Sequence, residues 1–268
     1  MWLAIAQKFC RLVPIMLKKR IIPVLLLCDG RMVKGINFGG FRDTGSPKTA
    51  VRIYSAQDSD ELIFLDVQAS LQSRQSMVNT LRDASTECFI PLAVGGGIRT
   101  IEDVREFLRF GADKVVVTTA SVTQPTLISQ IAERFGSQSV IAGIDYKYED
   151  GSPKVWVRCG TVKTDLDPVE HAVRLSSLGA GEIFLNSIDR DGVMGGYDLE
   201  LVQKVAQAVT IPVIACGGAG NFMHIADLLK ETQVSAAACA SIFHFGDNNP
   251  IRARSYLRNL DVAMRVVK

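Results

Sequence analysis

Eight short apolar, β-branched runs recur along the chain, at 21–27, 62–66, 90–94, 114–118, 140–145, 182–186, 211–215 and 236–239, with longer amphipathic segments between them. Most of the runs are apolar throughout rather than alternating, the pattern of strands covered on both faces by helices. Segments 101–110 and 198–209 carry helical spacing, and Thr100 stands as the N-cap of the first, with Asp103 completing a variant capping box. A strand followed by a helix, eight times over, predicts an α/β fold: a single (β/α)8 (TIM) barrel. A length of 268 residues fits one such domain. We assign the barrel to 16–268. Residues 1–15 form an N-terminal extension outside it, because their apolar start is broken by Lys8 and Arg11 and lacks a small-residue cleavage site.

The chain also repeats itself. Ile90-Pro-Leu-Ala-Val-Gly-Gly-Gly-Ile-Arg99 resembles Ile211-Pro-Val-Ile-Ala-Cys-Gly-Gly-Ala-Gly220 at an offset of 121, and Ile63-Phe-Leu-Asp66 resembles Ile183-Phe-Leu-Asn186 at an offset of 120. Thr118-Thr-Ala-Ser121 and Cys239-Ala-Ser241 fall in the matching place. Strands 1–4 and 5–8 are therefore expected to be two copies of one half-barrel.

Composition excludes several functions. Hydrophobic residues make up 47% and charged residues 22%, enough for a large core. The net charge of +2 and a longest basic run of Lys18-Lys19-Arg20 do not fit a nucleic-acid protein. No apolar stretch reaches the ~20 residues of a membrane span. The six cysteines, at 10, 28, 88, 159, 216 and 239, and the three histidines, at 171, 224 and 244, show no metal-ligand spacing. Reduced thiols, a cytoplasmic location, no metal and no cofactor are the expectation.

The glycines carry the binding site. In each half a Gly-rich turn, Gly95-Gly96-Gly97 or Gly217-Gly218, closes a strand at its carboxyl end, where backbone N–H groups can approach an anion that a Cβ would keep away. The next strand ends in hydroxyl residues, Thr118-Thr119 or Ser241 after Ala240. Such pairs are how barrels of this kind hold phosphate. Two copies on one face imply a long ligand with a phosphate at each end, and Gly192 adds to the second cradle. As surface turns, Gly97 and Gly218 are expected to accept a side chain without loss of the fold. Asp66, Asp145, Asp189 and Asp191 fall at or just beyond strand ends, on the face where barrel enzymes place their chemistry. Asp145, between Ile144 and Tyr146 with Lys147 near, is the best acid/base candidate.

From these motifs, together with Asp29-Gly-Arg-Met-Val-Lys-Gly35, Gly111-Ala-Asp-Lys114, Phe135-Gly-Ser-Gln138, Ser187-Ile-Asp-Arg-Asp-Gly192 and Phe243-His-Phe245, the chain resembles the cyclase subunit of imidazole glycerol phosphate synthase, from about Met16 to its end. The resemblance implies a glutaminase partner in a heterodimer. Ammonia made there crosses the barrel to a bis-phosphorylated ribulosyl intermediate of histidine synthesis. The barrel then forms imidazole glycerol phosphate and releases aminoimidazole carboxamide ribotide. It further implies Asp145 as one of two acid/base carboxylates, with Gly97 and Thr119, and Gly192, Gly218 and Ser241, as phosphate sites. Asp66 and Asp191 would contact substrate, and Lys34 would stand on a mobile loop after strand 1. Arg20, Glu61, Lys114 and Glu182, with Asp113 beside them, would ring the opposite mouth, where ammonia enters and the glutaminase docks.

One departure is serious. Where the family reads Ile-Pro-Cys-Leu-Asp-Val-Lys-Asp-Gly, this chain reads Ile22-Pro-Val-Leu-Leu-Leu-Cys-Asp-Gly30, so the second catalytic carboxylate is Leu26. Thr118, Asn186 and Cys28 replace the usual Asn, Thr and Lys. General acid–base assistance is worth roughly 10²–10⁴ in rate. The departure opens two alternatives: a divergent paralogue that channels ammonia to a sugar amidotransferase of surface-polysaccharide synthesis, and a non-catalytic scaffold that activates the glutaminase.

Overall fold

The structure, a computed structural model, describes residues 18–68, 71–244 and 247–265, with the backbone alone for 71–76. The extension assigned to 1–15, and Phe245, lie outside the described residues.

Barrel strands β1 (Arg20–Cys28), β2 (Leu62–Asp66), β3 (Leu92–Gly95), β4 (Lys114–Val117), β5 (Val140–Glu149), β6 (Glu182–Ser187), β7 (Val213–Cys216) and β8 (Ala236–Cys239) follow one another in parallel; β4–β5 and β8–β1 pairing join the two halves, and β5–β6 pairing completes the second, closing the (β/α)8 barrel. Strands β3 and β7 begin two residues later than their apolar runs, because Pro91 and Pro212 have no N–H for the ladder. Their carbonyls are still used, accepting from Leu62 N and Ile183 N at 2.9 Å each. Two apolar layers result. Ile22, Val24, Ile63, Ala93, Val116, Ile141, Phe184 and Ile214 fill the barrel, and a larger cluster packs the helices on its outside. Each fully buried Ile, Leu or Val contributes about 1.5–3 kcal/mol.

The helix starts follow the sequence closely. Thr100 Oγ1 accepts from Asp103 N at 3.2 Å, and Asp103 Oδ2 accepts from Thr100 N at 2.9 Å, the reciprocal box expected of that pair. Asp167 and Asn249 cap helices Pro168–Ser177 and Pro250–Asn259, each of which places a proline in its first turn.

The half-barrel repeat needs one correction. Phe64 packs outside the barrel and Phe184 inside it, so the two Ile-Phe-Leu segments are not equivalent at an offset of 120. A Cβ on Gly96 would strike Asp66, and one on Gly217 would strike Ser187, which sets the true offset of β2 and β6 at 121, in step with β3 and β7. A one-residue slip turns every side chain of a strand to the other face.

The loops after β1 and β5 are themselves sheet. Arg31–Ile36 pairs antiparallel with β1 and with Gly39–Gly45, and Ser152–Val157 pairs antiparallel with β5 and with Val162–Lys163. Both ribbons rise over the carboxyl ends of the strands.

Candidate active site

A cavity of 860 Å³ opens at that end of the barrel, beneath the ribbons. One wall holds the first cradle: Gly96 and Gly97, both at positive φ (111° and 68°), and Thr119 at the start of helix Thr119–Thr123. Gly96 has no alternative, because a Cβ there would lie 2.6–2.9 Å from Asp66 atoms. Arg99 and Arg158 also line the cavity beside this cradle. Arg158 N donates to Thr119 Oγ1 at 3.1 Å, which ties the β5 ribbon to the cradle. Sequence reasoning passed over both arginines, although Arg99 stands two residues after the glycine turn.

Asp145 projects from β5 into the cavity. Burial of its carboxyl pushes the pKa up to about 7, the Asn186 amide pulls it down, and the charge of Asp191 adds to the rise. A pKa near neutrality is what a general acid or base needs. Asn186 Nδ2, on the neighbouring strand β6, donates to Asp145 Oδ1 at 3.2 Å. Asn186 is 5% exposed and its Oδ1 has no partner among the described residues.

Strand register identifies the counterpart of Asp145 in the other half. Asp145 lies opposite Asn186, as Leu26 lies opposite Leu65, and Leu65 matches Asn186 at the offset of 121. Leu26 points into the barrel among Val24, Val33, Phe41 and Leu65. Two leucines thus occupy the place that the second half gives to a carboxylate and its amide.

The loop expected to carry Lys34 is a paired ribbon in this structure. Lys34 sits within the Arg31–Ile36 strand, 2% exposed, and its Nζ donates to Asp191 Oδ1 at 2.8 Å. Asn37 N donates to the Asp191 carbonyl at 2.9 Å. A Cβ on Gly192 would lie 2.4 Å from the Gly35 carbonyl oxygen. The ribbon tip therefore rests on the loop after β6 and covers Gly192. Gly218 and Ser241 also stand outside the walls of the 860 Å³ cavity. A Cβ on Gly218, at φ 113°, would lie 2.1 Å from the Gly196 carbonyl oxygen, so that turn does not accept a side chain freely as its surface position implied. Asp66 lines the cavity while its Oδ1 accepts from Gln68 N at 2.8 Å; Asp189 Oδ2 accepts from Tyr148 N at 2.8 Å and braces the β5 ribbon.

At the opposite mouth four charges close a ring. Arg20 donates to Glu61 and to Glu182 at 2.5 Å each, and Lys114 donates to the same two carboxylates at 2.9 and 2.5 Å. Burial would push the Glu182 carboxyl up, but Arg20 and then Lys114 outweigh it and hold it below the usual range. Asp113 does not join them: its Oδ2 accepts from Leu92 N at 2.8 Å and fixes the start of β3.

A barrel with a neutral ring of four charges at one mouth, and with a glycine turn beside a titratable carboxylate at the other, has the layout of an enzyme. The comparisons narrow this class. A family model described as histidine biosynthesis protein matches residues 20–249. A relative named imidazole glycerol phosphate synthase subunit HisF, from Alkaliphilus metalliredigens, is 46% identical over 251 residues, covering 93% of this chain and 100% of the relative. Proteins of the same name from Chlorobaculum parvum and Chlorobium limicola are each 48% identical over 251 residues, covering 94% of this chain and 100% of theirs. The chain belongs to the histidine biosynthesis protein family.

Proposed function

We propose that the chain is the cyclase subunit of a glutamine-dependent imidazole glycerol phosphate synthase. The observation that carries the reading is the identity to subunits of that name over their whole length, with Asp145 held near neutrality in the cavity above the ring. A glutaminase subunit docks on the mouth ringed by Arg20, Glu61, Lys114 and Glu182 and delivers ammonia there. Gly97 and Thr119 hold one phosphate of the ribulosyl substrate. Gly192, Gly218 and Ser241 hold the other once the ribbon bearing Lys34 has lifted from Gly192. Asp191 then exchanges Lys34 for substrate, and Asp66 supports the first cradle. The chain works in the cytoplasm with no metal or cofactor, because ring closure here is proton transfer and addition–elimination alone.

Leu26 favours a second reading. With one carboxylate left, the barrel still passes ammonia but closes the ring slowly, and its product is ammonia for another acceptor, such as a sugar amidotransferase. Supplying ammonia directly to the isolated chain and following consumption of the ribulosyl intermediate decides between them. Turnover typical of a cyclase supports the first reading; negligible turnover with intact binding overturns it in favour of the second.

A further inference from the structure

We infer that Asn186 is a docking point for the nitrogen nucleophile, acting jointly with Asp145. The inference deepens the proposed function, since it rests on ammonia being the molecule that crosses the barrel.

The argument begins with an orphan. Asn186 is 95% buried from solvent in the barrel wall, and its side chain faces the cavity. When Asp145 is ionised the amide orientation is set, because Nδ2 donates to Asp145 Oδ1 and a rotated amide would set two oxygens against each other. Oδ1 is left as a buried acceptor with no partner among the described residues. An amide oxygen buried without a donor costs about 1–3 kcal/mol, which a ligand N–H would recover. Beside it stands the carboxylate of Asp145, a second acceptor. Below lie Phe184, Ile141 and Ile214 of the barrel filling, which offer no hydrogen bond to a small polar molecule on the axis. A nitrogen rising from the ringed mouth past this filling meets paired acceptors at Asn186 and Asp145.

The Asn186 oxygen and the Asp145 carboxylate, side by side in the cavity wall, form an acceptor pair suited to a small molecule rich in N–H: ammonia. Held there, ammonia keeps its lone pair turned towards the ligand above. In the addition step that lone pair forms the C–N bond, the carbonyl π pair of the ribulosyl ketone moves onto its oxygen, and one N–H proton passes to Asp145. Asn186 takes no proton; it positions the nucleophile and the carboxylate. The other half-barrel presents Leu65 at the matching place, so the docking point exists once.

The test reads binding without turnover. The full chain is labelled with ¹³C at aspartate carboxyls, and the Asp145 signal is identified by its loss in Asp145→Asn. Ammonium chloride is titrated at fixed pH against potassium chloride of equal ionic strength. A saturable shift specific to ammonium is expected in the wild type. It should persist in Asn186→Thr, which keeps a short acceptor, and weaken by roughly three- to ten-fold in midpoint in Asn186→Leu. With the ribulosyl substrate, Asn186→Leu should raise KM for ammonium by a similar factor and leave KM for the bis-phosphate unchanged. No ammonium-specific shift in the wild type, or an equal shift in Asn186→Leu, overturns the inference. A shift with no consumption of substrate would uphold the docking point while removing the cyclase reading on which its catalytic use rests.

Discussion

Leu26 and Asp145 occupy the same place in two halves of one barrel, each in register with the neighbouring strand at Leu65 and Asn186 respectively. The second half presents a titratable carboxyl there and the first is apolar. The asymmetry has a kinetic consequence: with ammonia supplied directly, turnover should fall two to four powers of ten below that of a two-carboxylate barrel, while binding through the cradles stays intact. Leu26→Asp should raise turnover and lower the melting temperature, because the new carboxyl would sit among Val33, Phe41 and Leu65. The apolar burial alone forfeits about 1.5–3 kcal/mol. Turnover and thermal unfolding measured on the same preparation check both halves of the expectation.

The raised pKa of Asp145 predicts two pH effects of opposite sense. As a base the group gains activity as pH rises through about 7, and the profile should be taken at constant free ammonia. Between the ordinary aspartate value and about 7, the folded chain holds a proton that the unfolded chain has released. Stability therefore falls as pH rises across that window and is level above it. In Asp145→Asn both dependences should vanish, by initial rates for the first and denaturant midpoints for the second.

The two cradles should respond differently to a side chain. Gly97→Val should abolish binding at the first phosphate, seen by calorimetry with the ribulosyl intermediate, at a modest cost for the positive φ. Gly218→Val should unfold or deform the loop after β6 instead, because its Cβ meets the Gly196 carbonyl oxygen at 2.1 Å. A well-folded Gly218→Val chain with normal melting would contradict that contact.

At the ringed mouth, Lys114→Met is the cleaner probe of coupling to a glutaminase, since reversing Asp113 would also break its bond to Leu92 N. Lys114→Met leaves Glu61 and Glu182 with Arg20 alone and should uncouple glutamine hydrolysis from ammonia consumption in the barrel. Glutamate release and substrate consumption, measured together in the complex, would then lose their one-to-one ratio.

Lys34→Met should loosen the β1 ribbon. Asp191 would be left buried without its cation, a change worth about 3–5 kcal/mol where a buried pair is broken. Hydrogen exchange at Asn37 N, which donates to the Asp191 carbonyl, should rise well above that of the barrel strands.

The barrel was legible because parallel strands buried on both faces read as apolar runs, and because Thr100 caps its helix by a local rule. The ribbons were not. Met32, Val33 and Lys34 are all buried, so the Arg31–Ile36 strand shows no alternation of period two. What buries Lys34 is Asp191, 157 residues away in sequence. The glycine turns and Asp145 were found from their places at strand ends. The role of Asn186 depends on strand register, and the sequence repeat at that very strand is one residue out of step with the structural one.

The surroundings of Leu26 also bear on the history of such a chain. Once a leucine has settled against Phe41 and Leu65, the way back is harder than the way out, for a returning carboxylate would have to be solvated by neighbours that offer it nothing. Each half-barrel carries its own strand, ribbon and glycine turn, so the half with Asp145 is untouched by the exchange. The change works as a ratchet: a lineage that takes it keeps a sound barrel and is held by its packing, more than by its chemistry, to whatever work one carboxylate can do.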